Sequence, residues 1–116
     1  MVKTQLLIGA DSMPITVFQQ NGTAFTTPPC VVLHSAEMGK YYVADKVTGK
    51  NGGMWYDAVF SKSVTANMSP GVYALEVYND NNMTAMLGYD CDYCEAVIAA
   101  TTNGQTNGET QEQTNE

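Results

Sequence analysis

Three cysteines and a single histidine carry most of the reactive chemistry in this chain. Cys91-Asp92-Tyr93-Cys94 has the C-x-x-C spacing used by redox dithiols and by metal knuckles. A redox dithiol needs a helix N-terminus or a nearby cation to lower one thiol pKa. Here Asp90, Asp92 and Glu95 crowd the pair, which works the other way, and no βαβ pattern precedes it. A zinc site would need Cys30, His34, Cys91 and Cys94, three thiolates and one imidazole around a closed tetrahedron. The even spacing of Cys30 and His34 puts both on one face of a strand. Four residues of strand nevertheless span about 13 Å, too far for two ligands of one ion unless the strand bulges. The sequence therefore predicts no metal and no cofactor, with this zinc set as the alternative that metal analysis would decide.

Catalysis by His34 would need a nucleophile and an orienting acid, and no motif in the sequence places either. There is no phosphate-cradling Gly-x-x-x-x-Gly-Lys-Ser/Thr and no Gly-x-Ser-x-Gly elbow. Asp90, Asp92, Glu95 and the run Asn79-Asp80-Asn81-Asn82 are rich in oxygen, but neither has an EF-hand spacing, so solvated turns are expected in place of calcium loops. Sequons at Asn21, Asn67 and Asn82 arise readily in a chain this rich in Asn and Thr. The expectation is a protein that is not an enzyme. Its seven tyrosines and single tryptophan are then the residues to watch. Exposed aromatics anchor interfaces or stack on sugars. Tyr56 and Tyr73 are expected in the core, and Trp55, Tyr42 and Tyr78 at an interface.

The elements that must position these residues are short and β-like. Runs at Thr4–Ile8, Ile15–Gln19, Cys30–Ser35, Lys40–Thr48, Met54–Ser61, Val72–Tyr78, Met83–Tyr89 and Tyr93–Ala100 are rich in β-branched and aromatic residues. Turn residues separate them at roughly 8–12-residue intervals, the pattern of a sandwich or barrel. Asn21-Gly22 is a strong hairpin dipeptide, since both residues tolerate positive φ. Pro28-Pro29 enforces extended, unpaired chain. In Met54–Ser61, Met54, Tyr56, Ala58 and Phe60 alternate against Trp55, Asp57 and Val59. No window has helical periodicity. The sequence predicts a small all-β sandwich over residues 1–100. The remaining stretch, 101–116, is Thr, Asn, Gly, Gln and Glu without an apolar residue. It cannot offset its ordering entropy by burial and is expected to be a flexible tail.

Bulk composition narrows the partners. The chain has 116 residues, enough for one core. Its net charge is −7, from five Lys and twelve acids, and it contains no Arg. Phosphate affinity comes from clustered Lys and Arg, so neither nucleic acid nor an anionic membrane is an expected partner. The apolar run near the N-terminus ends after Leu6-Leu7-Ile8, short of the about 7–15 residues of a signal peptide. No stretch approaches the ~20 apolar residues that span a bilayer. Synthesis in the cytoplasm, with reduced thiols, is the expectation.

The segment Phe60-Ser61-Lys62-Ser63-Val64-Thr65-Ala66-Asn67-Met68-Ser69-Pro70-Gly71-Val72-Tyr73 leads into the alternating run Ala74-Leu75-Glu76-Val77-Tyr78. It resembles a pattern of small Ig-like sandwiches, in which a Pro-Gly turn tightens the chain and a Tyr tucks its ring under the corner. It is similar to Ig-like modules of tailed-bacteriophage virion proteins, both baseplate adaptors and capsid auxiliary (decoration) proteins. The resemblance implies an Ig-like β-sandwich of about seven to eight strands and a structural role in a virion. The implied partners are other virion proteins, a major capsid protein or tail proteins, with a homo-oligomer possible. A single short module favours the capsid auxiliary role over the adaptor. A carbohydrate-binding β-sandwich is the other reading, from the aromatics and the Asp/Asn loops.

Overall fold

The computed structural model describes residues 2–98, and the expected tail lies outside them. Eight strands form: β1 (Thr4–Ile8), β2 (Ile15–Phe18), β3 (Cys30–Ser35), β4 (Lys40–Val43), β5 (Lys46–Lys50), β6 (Trp55–Val59), β7 (Gly71–Tyr78) and β8 (Met86–Ile98). They make a five-stranded sheet, β1-β8-β7-β3-β4, and a three-stranded sheet, β2-β6-β5. All pairings are antiparallel except β1 with β8. Two-residue alternation turns one face of each sheet inward. Leu6, Val31, Leu33, Tyr73, Val77, Cys94 and Ala96 of the large sheet meet Val17 and Ala58 of the small sheet, with Phe60 just beyond β6, in one core.

If β2 to β8 are read as strands B, C, C′, D, E, F and G, the two sheets are G-F-C-C′ and B-E-D, the immunoglobulin-type arrangement. Its corner is present too. Tyr73 is fully buried, and its hydroxyl donates to the Ser69 carbonyl 2.8 Å away. The chain can turn there because Pro70 precedes Gly71, whose φ of +147° suits glycine. The inter-sheet disulfide of antibody domains would place a cysteine two residues after this tyrosine. Leu75 stands there instead, and Cys30, Cys91 and Cys94 are all free thiols.

Four expectations need correction. Lys40–Thr48 is not one strand. Residues Ala44 and Asp45 carry the chain from the large sheet to the small one, and the Asp45 carboxylate accepts hydrogen bonds from the Ser61 amide and hydroxyl. The runs Met83–Tyr89 and Tyr93–Ala100 join instead in the single strand β8. Its pairing with β7 slips between Tyr73 and Leu75, where Asp92 takes a φ of +55°. Asn21-Gly22 makes a turn, but β2 pairs with β6 and not with the following strand. Finally, Lys62–Thr65 closes one helical turn, α1. Tertiary bonds hold it: Lys62 N–H donates to Asp11, and the buried Thr65 hydroxyl donates to the Ala10 carbonyl.

Candidate functional site

The outer face of the five-stranded sheet is not an ordinary solvated surface. On β3, residues Cys30 to Leu33 are all at most 2 % exposed, so the strand is covered on both sides. Register places Cys30 beside Tyr78, Val32 between Glu76 and Val43, and His34 between Ala74 and Tyr41. Val32, His34, Tyr41, Glu76, Tyr78 and Met83 line one hollow of about 270 Å³. Met83 holds a φ of +56°, uncommon for a residue with a side chain, and this turn sets it against the sheet.

Glu76 is the centre of the arrangement. It is only 7 % exposed although it points away from the core. Its two oxygens are both used: the Tyr78 hydroxyl donates to one at 2.6 Å, and His34 Nδ1 lies 2.9 Å from the other. A carboxylate taken out of water needs such partners, because an unpaired one costs several kcal/mol, on the order of the whole stability of a small domain. The hydrogen bond from Tyr78 to Glu76, with burial, pushes the Tyr78 hydroxyl up to about 12. The three side chains thus lock one another, and the aromatic surface they carry is held in a fixed shape.

His34 also borders a second hollow of about 230 Å³, with Val72, Ala74, Tyr89, Cys91 and Asp92 around it. Ala74 is small, and the hollow lies over it. Its rim mixes exposed Tyr89 and Val72 with Glu37 and Asp92, while Tyr41, 60 % exposed, stands at the first hollow. Cys91, His34 and Glu76 are the residue types of a thiol–imidazole–carboxylate triad. The backbones of His34 and Cys91 are separated by β7, about 10 Å at the usual strand spacing. Among the described residues no hydroxyl or thiol is hydrogen-bonded to His34. The nucleophile–base contact that acyl-transfer chemistry uses is not made.

No family model matches this chain, and neither curated proteins nor solved structures gave a match. Its function must be argued from the site itself.

The sequence-predicted residues divide between the two faces. Tyr78 lies in the outer-face site. Tyr42 turns inward: its ring packs edge-on against Tyr73, centroids 6.0 Å apart, and its hydroxyl donates to the Asn67 carbonyl. It supports the core and offers little to a partner. Trp55 is 38 % exposed on the outer side of the small sheet, in register with Phe18, far from the His34 hollows. The zinc set is not brought together. Cys30 and His34 lie on the outer face, Cys94 is in the core, and Cys91 is on the β8 bulge. Among the described residues no three metal-ligating side chains cluster. The Asn79–Asn82 loop spends its oxygens on its own backbone, with Asp80 accepting from the Asn82 amide and Asn79 from the Ala85 amide. No described helix is long and apolar enough to cross a membrane.

Burial decides the thiols. It pushes Cys94 up to about 11 and raises Cys30 as well. The expected result of alkylating the folded chain near pH 8 is modification of exposed Cys91 alone, with Cys30 and Cys94 reacting after unfolding. Intact-mass measurement checks it; rapid labelling of all three would mean the core opens readily.

Glu76 and Met83 were not singled out from the sequence. Glu76 is the one charged residue in an otherwise uncharged strand, Val72–Tyr78, which is a usable signal. Its partner His34 is 42 positions away, and nothing local reports that.

Proposed function

We propose that this chain is a non-enzymatic structural module of a tailed-bacteriophage virion, an auxiliary protein that decorates the assembled head. The observation that carries the binding part of the reading is the outer face of the β1-β8-β7-β3-β4 sheet. There, exposed Tyr41 and Tyr89 flank a rigid His34–Glu76–Tyr78 unit. Tyrosines on a fixed scaffold bury much area at little entropy cost, and they dominate the energetics of many interfaces. A dyad of His and Glu without a nucleophile in contact favours recognition over turnover. The virion assignment rests on the resemblance of the Pro70-Gly71-Val72-Tyr73 corner segment and on the chain's acidic, Arg-free composition.

The test uses heads of the encoding virus assembled without this chain. Added full-length protein should bind them saturably. Replacing both Tyr41 and Tyr89 with Ala should weaken binding by at least about 2 kcal/mol, roughly thirtyfold, since each truncation at a hot spot costs more than about 1 kcal/mol. Protein that never associates with heads removes the decoration role. Binding to isolated tails alone would move the module to the baseplate.

A further inference from the structure

Among the described residues the sandwich is open along one side. In immunoglobulin-type sandwiches a first strand lies beside strand B. Here β1 pairs with the far half of β8, Cys94–Ile98, and among the described residues β2 pairs with β6 alone. Among the described residues two strand edges are therefore bare on this side: Ile15–Phe18 of β2, and Met86–Asp90 of β8. Between them runs a groove of about 500 Å³ whose floor includes the inward side chains Ile15, Val17, Leu75 and Val77. Gly88 adds no side chain to it. A Cβ built there would sit 3.9 Å from Val77, in ordinary contact, so the space is real and free of clash.

The two sides of the molecule are treated differently. Exposed edge strands invite pairing with other chains, and lysines on the edge suppress it. On the closed side, β4 and β5 carry Lys40, Lys46 and Lys50, three of the five lysines, all exposed. On the open side, the bare segments carry no lysine. They present Phe18, Met86, Leu87 and Tyr89, each at least 41 % exposed. The lysine at this groove, Lys3, is held by Asp90 at 2.7 Å. Thr16, which also lines the groove, donates to Asp57 on the neighbouring strand β6.

We propose that the groove between β2 and the first half of β8 takes a donated β-strand: an extended segment of a partner protein, apolar at alternate residues and flanked by Lys or Arg. Bare main-chain edges supply hydrogen bonds that a helix could not use, and the apolar floor takes every second side chain. The chain's net charge of −7 selects basic flanks and opposes pairing between two copies of this edge. The polar residues 101–116 have no apolar side chain to place on the floor. The inference does not depend on the virion reading: the β2 edge and the apolar floor lie apart from the His34 hollows, and Tyr89 alone borders both surfaces.

The test pans the full-length chain against a displayed library of short peptides. Val, Ile, Leu, Phe or Tyr occupy alternate positions, with Thr or Ser between and Lys at both ends. Binders should slow hydrogen exchange at amides of Ile15–Phe18 and Met86–Asp90. Glu in place of the flanking Lys should weaken them. Gly88→Val, which plugs the floor, should cost binding about tenfold or more while its thermal midpoint stays at or above wild type. Leu87→Lys, a guarded edge, provides a second arm should Gly88→Val fold poorly. No enrichment, protection confined to other elements, or unchanged binding by the properly folded variants would overturn the proposal.

Discussion

Tyr73→Ala should leave the chain close to its unfolding threshold, with a loss of about 3–5 kcal/mol from the cavity and the lost transfer energy of a buried ring. The ring is fully buried between sheets, and a small domain has only about 5–15 kcal/mol in total. Tyr73→Phe isolates the corner hydrogen bond. Removing the hydroxyl strands the Ser69 carbonyl in a partly buried site, so a further distinct loss of about 1–2 kcal/mol is expected for this variant alone. Urea denaturation with unchanged slope measures both. A Tyr73→Phe midpoint equal to wild type would mean that packing alone forms the corner.

The second large effect is alkaline unfolding. The native state keeps Tyr78 protonated up to about 12 and Cys94 up to about 11, from ordinary values of 10.0 and 9.0. Burial also raises Tyr73 and Tyr93. All four are neutral in the form the fold prefers. Between the ordinary and raised values the unfolded chain binds fewer protons than the native one, so stability falls as pH rises. Their contribution is complete below about pH 9 and disappears by about pH 12. Cooperative loss of structure inside that window is expected, with tyrosinate absorbance appearing together with unfolding. Glu76→Gln removes the charge that opposes Tyr78 ionisation, so Tyr78 should then titrate nearer its ordinary value. A Tyr78 signal that titrates at the same pH in both proteins would contradict the assignment.

How much of this was legible in the sequence depends on range. Alternation located β2, β6 and β7 closely, because each turns every second side chain inward, and β-branched composition between turn residues located β1 and β3, the latter buried on both faces. The same signal could not see Ala44-Asp45, where the chain changes sheets without losing its β-like composition. Nor could it see that β8 continues through Asp90–Asp92. A bulge stabilised by a partner strand looks locally like a turn. The one-turn helix at Lys62–Thr65 is too short for periodicity and depends on Asp11 and Ala10, some fifty positions earlier. The Tyr73 corner was legible because all its parts lie within five residues. The outer-face site was not, since Glu76, His34 and Tyr41 come from three strands. Tyr42 and Tyr41 differ by one position and face opposite sides, so an aromatic count could not choose between them.

The claim on which the functional account turns is that the outer face of the large sheet is the surface that meets another protein. Hydroxyl-radical footprinting of the chain, free and bound to assembled heads, reads this directly. Oxidation of Tyr41, His34 and Tyr89 should fall on binding, while exposed Met13, in the β1–β2 connection, and Trp55, on the opposite face, keep their free-state rates. Equal labelling of Tyr41, His34 and Tyr89 in both states, or protection centred on Trp55, would contradict it.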